Sequence, residues 1–137
     1  LSAKTVASDL VLLAVVYGEF QPHFDYFDDE SLSAVNQVGN RLATLMFYLN
    51  DVESGGRTVF PVLQKAVTPH KGSALFWFNL NAQGEGLDEM LHGGCPVIQG
   101  TKWVINKWIL EGKQDFEKLC PSDMYFPKQQ FYLNKVR

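Results

Sequence analysis

The amino-acid sequence predicts a mainly β fold, a double-stranded β-helix or jelly roll with minor helical additions. Short runs of aromatic and β-branched residues recur along the 137 residues, and Gly- or Pro-containing turns separate them. Many short strands at such spacing are typical of a sandwich or a barrel. No internal repeat is visible, and the length suits one domain. We therefore expect two sheets over one apolar core, with a mouth through which a ligand can enter.

The individual elements follow from the alternation of apolar runs and turn residues. Residues 10–17 are apolar, which predicts a strand buried on both faces. Residues 28–40 are polar and rich in Ser and Asn, which predicts a loop. The tail, residues 113–137, is predicted to be irregular or weakly helical. The predicted strands are residues 10–17, 20–27, 41–49, 57–60, 66–69, 73–78, 91–94, 95–98 and 103–110.

Composition and charge argue against several classes of protein. The formal net charge of -3 disfavours a nucleic-acid partner, which requires a basic face. The longest apolar run, residues 10–16, is too short to span a membrane and lacks the flanking features of a signal peptide. The chain begins with Leu1 rather than Met, so we expect a fragment with any targeting signal outside it. Two cysteines are too few to indicate a disulfide scaffold.

A possible metal centre begins with His23 and Asp25. In a strand, residues two apart point to the same face, so this imidazole and carboxylate would lie side by side. A third ligand must come from a distant strand, and His92 is the candidate. Two histidines and one carboxylate are the ligand set of non-haem iron(II) oxygenases, and zinc is the competing metal. His-x-Asp alone also occurs by chance on surfaces, and His70 is predicted to be an exposed turn residue.

Lys102 adds a second chemical signal. It follows His92 across a turn at residues 99–101, and strands joined by such a turn are predicted to pair. If both side chains point inward, a buried ammonium lies near the metal and requires an anion. A dicarboxylate cosubstrate that chelates iron at one end would supply that anion. The alternative is that Lys102 faces solvent, as most lysines do.

Aromatic side chains around these positions are first interpreted as core. This applies to Phe24, Phe76, Trp77, Phe78 and Trp108. A weaker pattern predicts that Arg57 and Tyr48 face a peptide groove.

Seven segments between residue 17 and about residue 116 share their order and spacing with one protein family. They are Pro-His-Phe-Asp (22–25), Gly-Asn-Arg-Leu-Ala-Thr (39–44), Phe-Tyr-Leu-Asn-Asp-Val (47–52), Gly-Gly-Arg-Thr-Val-Phe-Pro (55–61), Lys-Gly-Ser-Ala-Leu-Phe-Trp-Phe-Asn-Leu (71–80), His-Gly-Gly-Cys-Pro-Val (92–97) and Gly-Thr-Lys-Trp-Val-Ile-Asn-Lys-Trp (100–108). In these segments the chain resembles the catalytic domain of collagen-type prolyl 4-hydroxylase α subunits. Seven coincident segments are far more specific than one tripeptide.

The resemblance implies an Fe(II)/2-oxoglutarate-dependent dioxygenase. The implied reaction is that of a procollagen-proline 4-dioxygenase, in which peptidyl proline, O₂ and 2-oxoglutarate give 4-hydroxyproline, succinate and CO₂. L-ascorbate is implied as the reductant. His23, Asp25 and His92 match the family's iron ligands. Lys102 matches the residue that binds the distal carboxylate of 2-oxoglutarate.

The resemblance also assigns roles outside the metal centre. Thr58, Trp108 and Tyr17 match residues that line the cosubstrate pocket. Cys95 and Cys120 match an intrachain disulfide, which implies an oxidising compartment, the lumen of the endoplasmic reticulum. The implied partners are a proline-containing, collagen-like peptide and a protein disulfide isomerase as β subunit.

The chain departs from the family's pattern near its start. The segment at residues 17–20 is shorter than the family's, and Phe20 takes the place of a tyrosine. Residues 1–16 cannot replace the family's N-terminal helices and strand, so an N-terminally truncated domain is expected. The expected limits are a single catalytic domain over residues 1–137, with a core of 17–112 and a tail of 113–137.

Two alternatives follow from these departures and from the chemistry. One is an inactive jelly-roll module that acts as a binding or assembly piece of an α subunit. The other is a different oxygenase of the same kind, such as a lysyl hydroxylase. Lysyl enzymes usually pair the cosubstrate with Arg, whereas this chain has Lys102 at that position.

Overall fold

A computed structural model describes residues 10–15, 18–28, 39–113 and 134–135, and these residues form a mainly β fold. The described residues contain ten strands: β1 Leu10–Val15, β2 Gly18–His23, β3 Arg41–Tyr48, β4 Ser54–Gly55, β5 Thr58–Phe60, β6 Lys65–Val67, β7 Ser73–Phe78, β8 His92–Gln99, β9 Lys102–Leu110 and β10 Asn134–Lys135. Within the described ranges, the minor helical additions are two short 3-10 helices, Asp88–Met90 and Glu111–Lys113. No helix in these described ranges is long and apolar enough to cross a membrane.

The strands form two antiparallel sheets. Sheet I has the order β1-β9-β3-β7-β10, and sheet II has the order β2-β8-β5-β6 with β4 paired to β8. Strands that are distant in sequence are neighbours in both sheets, which is the topology expected of a jelly roll. The predicted fold class is therefore confirmed at the level of architecture.

The core shows the two-residue periodicity of half-buried strands. In β7 every second side chain is buried, beginning with Ser73 and continuing through Leu75 and Trp77. The strand predicted at residues 73–78 is therefore confirmed. A fully buried side chain of this size contributes about 2 kcal/mol to stability. The main core cluster consists of Met46, Tyr48, Phe60, Leu75, Trp77, Met90 and Val104.

The prediction that the first strand is buried on both faces is wrong. Leu12 is 56% exposed, whereas its neighbours Val11 and Leu13 are half-buried and line an internal cavity. The reason is that β1 pairs with β9 at the edge of sheet I, so one face meets the cavity and the other meets solvent. An apolar run cannot distinguish this arrangement from full burial.

The predicted pairing across the turn at residues 99–101 is also wrong. β8 pairs with β2, β4 and β5, whereas β9 pairs with β1 and β3. The chain thus crosses from sheet II to sheet I at Gly100, whose φ of 90° suits a glycine. The two strands predicted at residues 91–94 and 95–98 are one continuous strand. Pro96 lies within this strand, and its carbonyl accepts a hydrogen bond from the Gly56 amide.

The predictions for the second strand and for the tail need correction, and some other predictions concern residues that the structure does not describe. β2 ends at His23, so the strand predicted to continue through residue 27 is too long. In the tail, residues 134–135 pair with β7, although this region was expected to lack strands. Tyr17 and Cys120 lie outside the described residues, as does most of the loop predicted at residues 28–40.

Candidate metal centre and adjoining pocket

Two paired strands and the bend after one of them bring His23, Asp25 and His92 together. His23 is the last residue of β2 and lies opposite His92, the first residue of β8. Asp25 follows in a bend rather than in the strand, so the predicted same-face geometry is not the reason for its position. The strands approach closely at Gly93, where an added Cβ would lie 2.9 Å from the Phe20 carbonyl oxygen.

The three side chains have the spacing of a metal-binding site. The Nε2 atoms of His23 and His92 lie 3.7 Å from Oδ1 and Oδ2 of Asp25 respectively. All three potential ligand atoms lie within 4.8 Å of one another. Ligand atoms that are each about 2.1 Å from a cation lie about 3 Å apart when their bonds are at right angles. The observed separations are wider than this, so a bound cation would draw the three ligand atoms closer together.

Hydrogen bonds hold both imidazoles in the form that binds a metal. Nδ1 of His23 lies 2.8 Å from the Gln21 carbonyl oxygen, and Nδ1 of His92 lies 2.9 Å from that of Met90. A carbonyl oxygen only accepts, so each Nδ1 carries the hydrogen and each Nε2 keeps its lone pair. Burial lowers the pKa of His92 against the smaller opposing effect of Asp25, which favours the neutral ring.

Aromatic packing fixes His92 more firmly than His23. Phe60 stacks on the His92 ring at a centroid distance of 5.5 Å, and Trp77 meets it edge-on at 4.8 Å. The His23 side chain is 34% exposed and contacts Phe20, which is itself 47% exposed. The centre is consequently closed on the His92 side and open to solvent on the His23 side.

The Asp25 carboxylate is buried and held by two polar side chains that sequence analysis did not identify. The Thr44 hydroxyl donates a hydrogen bond to Oδ2 of Asp25 at 2.6 Å. Asn79 Nδ2 donates to Oγ1 of Thr44 at 2.9 Å. Both residues are fully buried. They come from β3 and from the end of β7, and no local sequence pattern links them to residue 25.

Asn40 and Arg41 hold the segment that follows Asp25. The Asn40 side chain accepts a hydrogen bond from the Phe27 amide at 2.8 Å and donates one to the Phe27 carbonyl at 2.9 Å. The Arg41 guanidinium lies over the rings of Phe27 and Trp108, at 4.5 and 3.6 Å from their centroids. These contacts replace strand pairing beyond the end of β2 and connect the bend to β9.

Lys102 points into the protein, so the solvent-facing alternative is wrong. Its side chain is only 7% exposed, and Nζ donates to Oγ1 of Thr58 at 3.2 Å. Burial lowers the pKa of Lys102 to about 8, against a smaller opposing effect of Cys95. Among the described residues no carboxylate forms an ion pair with this ammonium. A buried cation of this kind suits an anionic ligand.

Tyr48 completes a hydroxyl cluster with Thr58, and it does not face a peptide groove. Its hydroxyl donates to Oγ1 of Thr58 at 2.8 Å, and the side chain is fully buried. Burial raises the pKa of Tyr48 to about 12, so the phenol remains a donor. Because Thr58 Oγ1 accepts from both Tyr48 and Lys102, its own hydrogen is free to reach a ligand.

One cavity of about 270 Å³ connects these groups. The sequence-predicted residues that line it are His23, Asp25, Thr58, His92, Lys102 and Trp108. Trp108 Nε1 and Asn106 Oδ1, on the same lining, are buried without a hydrogen-bond partner in the part of the chain that the structure describes. The cavity thus offers polar groups that a small ligand can satisfy.

The other sequence-predicted residues have simple outcomes. Cys95 is half-buried, and its predicted disulfide partner lies outside the described residues, so the disulfide stays a prediction. His70 is exposed, as predicted. Phe24 is 37% exposed, so its predicted core role is wrong, whereas that of Trp77 is confirmed.

Comparison with known proteins identifies the family. Residues 12–110 match the model of the 2OG-Fe(II) oxygenase superfamily. The chain belongs to this superfamily. The oxygenase family implies Fe²⁺ and 2-oxoglutarate, and the site fits both: two imidazoles with a carboxylate suit a divalent cation, and a buried ammonium suits a carboxylate.

The oxygenase chain is similar to several characterised proteins. Over 107 residues it is 47% identical to human prolyl 4-hydroxylase subunit alpha-1, covering 77% of this chain and 20% of that protein. Over 103 residues it is 47% identical to chicken prolyl 4-hydroxylase subunit alpha-2, covering 75% and 19%. The chain therefore spans about a fifth of the length of these relatives.

A solved structure shares the fold. The viral collagen prolyl hydroxylase vCPH from Paramecium Bursaria Chlorella virus-1, in its 2OG complex, superposes with a TM-score of 0.62 at 31% identity. The match covers 77% of this chain and 63% of the viral chain. This similarity agrees with the predicted jelly roll and with the predicted resemblance.

Proposed function

We propose that this chain is the catalytic domain of a prolyl 4-hydroxylase, which converts peptidyl proline to 4-hydroxyproline with Fe²⁺, O₂ and 2-oxoglutarate. Succinate and CO₂ are the other products. The main supporting observation is that a two-histidine, one-carboxylate cluster and a buried lysine line the same cavity. The choice of proline as substrate rests on the names of the similar proteins.

In this proposal His23, Asp25 and His92 hold the metal ion. Bound iron supplies the activation of dioxygen that couples decarboxylation of the cosubstrate to hydroxylation. The protein residues orient these ligands. The hydrogen bonds made by Nδ1 of each histidine turn Nε2 toward the metal position, and the buried Thr44 hydroxyl fixes the Asp25 carboxylate. Zinc is the competing cation for these ligand types, so the metal requirement needs a direct test.

Lys102 and Thr58 bind the far carboxylate of 2-oxoglutarate. The ammonium gains the counterion that its burial requires, and the free hydrogen of Thr58 gives the same carboxylate a second donor. The Tyr48 hydroxyl donates a hydrogen bond to the Thr58 hydroxyl oxygen and so fixes its position. Trp108 lines the cavity, and its Nε1 hydrogen has no partner among the described residues. We extend the proposal to Tyr17 as a further lining residue.

The peptide is proposed to approach from the His23 side. That side is open to solvent, and Phe20 and Phe24 expose aromatic surface near it. The apolar ring of proline packs well against aromatic faces. The lining of the cavity also includes apolar side chains, among them Met46, Trp77 and Val104.

The finer assignments of the function follow from the similarity. We propose a collagen-like peptide as substrate, L-ascorbate as reductant and a protein disulfide isomerase as β subunit. A Cys95–Cys120 disulfide would stabilise the chain by ~3 kcal/mol and suits the lumen of the endoplasmic reticulum. The proposed domain covers residues 1–137, with a core of 17–112 and a tail of 113–137.

The test is succinate release and hydroxyproline formation with a (Pro-Pro-Gly)-type peptide, with and without Fe²⁺. We expect both products only when iron, 2-oxoglutarate and peptide are present. His70→Ala is a matched control, because this histidine is exposed and outside the metal centre. Replacement of iron by zinc should abolish turnover. Metal and 2-oxoglutarate binding without any turnover would contradict the enzyme assignment and support the binding-module alternative.

A further inference from the structure

We propose that Lys102 is a modification site, at which the ε-amine binds carbon dioxide covalently as a carbamate when no carboxylate ligand occupies its end of the cavity. Carbamate formation turns a positively charged side chain into a negatively charged one. The reaction needs only the amine and carbon dioxide, so it goes beyond the proposed function. Only the release of carbon dioxide inside the same cavity rests on that function.

The amine of Lys102 is buried, yet it faces the cavity rather than an acidic side chain. Lys102 lines the cavity, and its Nζ donates to Oγ1 of Thr58 at 3.2 Å. The titratable groups that act on this amine, among the described residues, are Cys95 on β8 and Tyr48 on β3, whose ring centroid is 5.8 Å from Nζ. Neither group is a carboxylate. The described part of the chain therefore does not supply the partner that commonly keeps a buried lysine charged.

Space for the added group lies beside Nζ, at Gly94. A Cβ built on Gly94 would be 3.7 Å from Nζ of Lys102 and 3.3 Å from Cβ of Phe20, so a side chain there would fill this space. Gly94 and Lys102 both line the cavity, which gives carbon dioxide access to the amine. Oγ1 of Thr58 accepts hydrogen bonds from Tyr48 and Lys102, so its own hydrogen is available to a carbamate oxygen.

The reaction balances without an oxidant or a reductant. The lone pair of the neutral amine attacks the carbon of carbon dioxide, and an N–C bond forms. One C=O π pair moves onto oxygen, and the nitrogen releases a proton to water. Only the neutral amine reacts, and burial lowers the pKa of Lys102 to about 8. Compared with a lysine of ordinary pKa, the neutral fraction at pH 7 is then roughly 300-fold larger.

The carbamate and 2-oxoglutarate exclude each other at Lys102. A carbamate places negative charge where the far carboxylate of the diacid would bind, and like charges repel. A bound carboxylate in turn occupies the space beside Nζ and holds the amine in its protonated form. Carbon dioxide therefore competes with 2-oxoglutarate, and carbon dioxide released by turnover would delay the next binding of cosubstrate.

Chemical trapping on the metal-free wild-type chain tests the inference. The protein is equilibrated with ¹³C-bicarbonate and treated with triethyloxonium, which converts carbamates into stable ethyl carbamates, and its peptides are analysed by mass spectrometry. We expect label at Lys102 roughly 100-fold above that at an exposed lysine such as Lys71, because weaker nucleophilicity offsets part of the gain in neutral amine. The terminal α-amine also forms carbamates, and its separate peptide distinguishes it. Mn²⁺ with 2-oxoglutarate at about ten times its Kd should reduce the label at Lys102 about tenfold.

A matched pair of variants supplies a second readout. In ¹³C NMR spectra with ¹³C-bicarbonate, Lys102→Met should lose a carbamate resonance that the wild-type chain and the Lys71→Met control retain. Label at Lys102 no higher than at Lys71, or a folded Lys102→Met chain with the wild-type resonances, would overturn the inference.

Turnover separates this inference from the proposed function. In the active chain, carbon dioxide should raise the KM for 2-oxoglutarate and leave kcat unchanged. A lowered kcat with the same KM would contradict the competition at Lys102. A carbamate trapped at Lys102 in a chain without turnover would overturn the proposed function and leave the modification site in place.

Discussion

Replacement of Lys102 by methionine should stabilise the ligand-free protein while abolishing its response to 2-oxoglutarate. Burial lowers the pKa of Lys102 from its ordinary value of 10.5 to about 8. At about 1.4 kcal/mol per pKa unit, the charged ammonium opposes folding by about 3 kcal/mol at pH 7. The lost hydrogen bond to Thr58 offsets about 1 kcal/mol of the gain. The free energy of unfolding should therefore rise by about 2 kcal/mol.

The pH dependence of the free energy of unfolding provides a second, independent test. The penalty is fully present below pH 8, where both folded and unfolded chains carry the Lys102 proton. Between about pH 8 and 10.5 the folded chain releases that proton while the unfolded chain keeps it, so wild-type stability gains from this group as pH rises. The Lys102→Met variant lacks this gain, and its advantage should vanish by about pH 10.5.

Urea denaturation at pH 7 and at pH 9.5, with and without Mn²⁺ and 2-oxoglutarate, measures these effects. Ligand should stabilise the wild-type chain, because the diacid neutralises the buried charge, and should have much less effect on the variant. Lys71→Met is the matched control, because Lys71 is exposed at a turn and its replacement should change neither quantity. A Lys102→Met chain that is less stable at pH 7 and has the wild-type pH profile would refute the argument from burial.

Three further predictions concern the metal centre and the cosubstrate. Asp25→Ala should abolish Mn²⁺ binding measured by titration while far-UV circular dichroism stays unchanged; retained binding would remove Asp25 from the ligand set. Gly93→Ala should lower the free energy of unfolding by about 2 kcal/mol and weaken metal affinity, because the alanine Cβ pushes β8 away from the Phe20 carbonyl and separates the two histidines. Calorimetry would measure the stability and titration the metal affinity. A variant with unchanged stability and affinity would contradict the close approach of the strands. The KM for 2-oxoglutarate should rise above pH 8 as the Lys102 ammonium loses its proton; a flat pH profile up to pH 10 would argue against that contact.

Local sequence patterns predicted much of the strand content but not how the strands are arranged. Residues 73–78 alternate in burial because one face of β7 meets the core, and alternation is visible in sequence. The assignment of β8 and β9 to different sheets depends on long-range packing, which a short turn does not reveal. For the same reason, the apolar run of β1 gave no indication that Leu12 faces solvent.

The residues of the candidate site also fall into two groups, those that the sequence predicted and those that it did not. His23, Asp25 and His92 were selected by residue type and by resemblance, and the structure brings them together, although their role as ligands stays a prediction. Thr44 and Asn79 were missed, because a threonine in a strand and an asparagine at a strand end carry no local signal of a carboxylate partner. Such contacts become visible only when the sheets are assembled.

The two sheets contribute to the cavity from opposite sides. His23, His92 and Thr58 belong to sheet II, whereas Lys102 and Trp108 belong to sheet I. A diacid bound at both ends therefore crosslinks the two halves of the sandwich. Its departure removes a tether between them, so amide hydrogen exchange and protease susceptibility of the strands become reporters of cosubstrate occupancy. In a cell, the supply of 2-oxoglutarate would thereby influence the lifetime of the folded domain as well as its turnover.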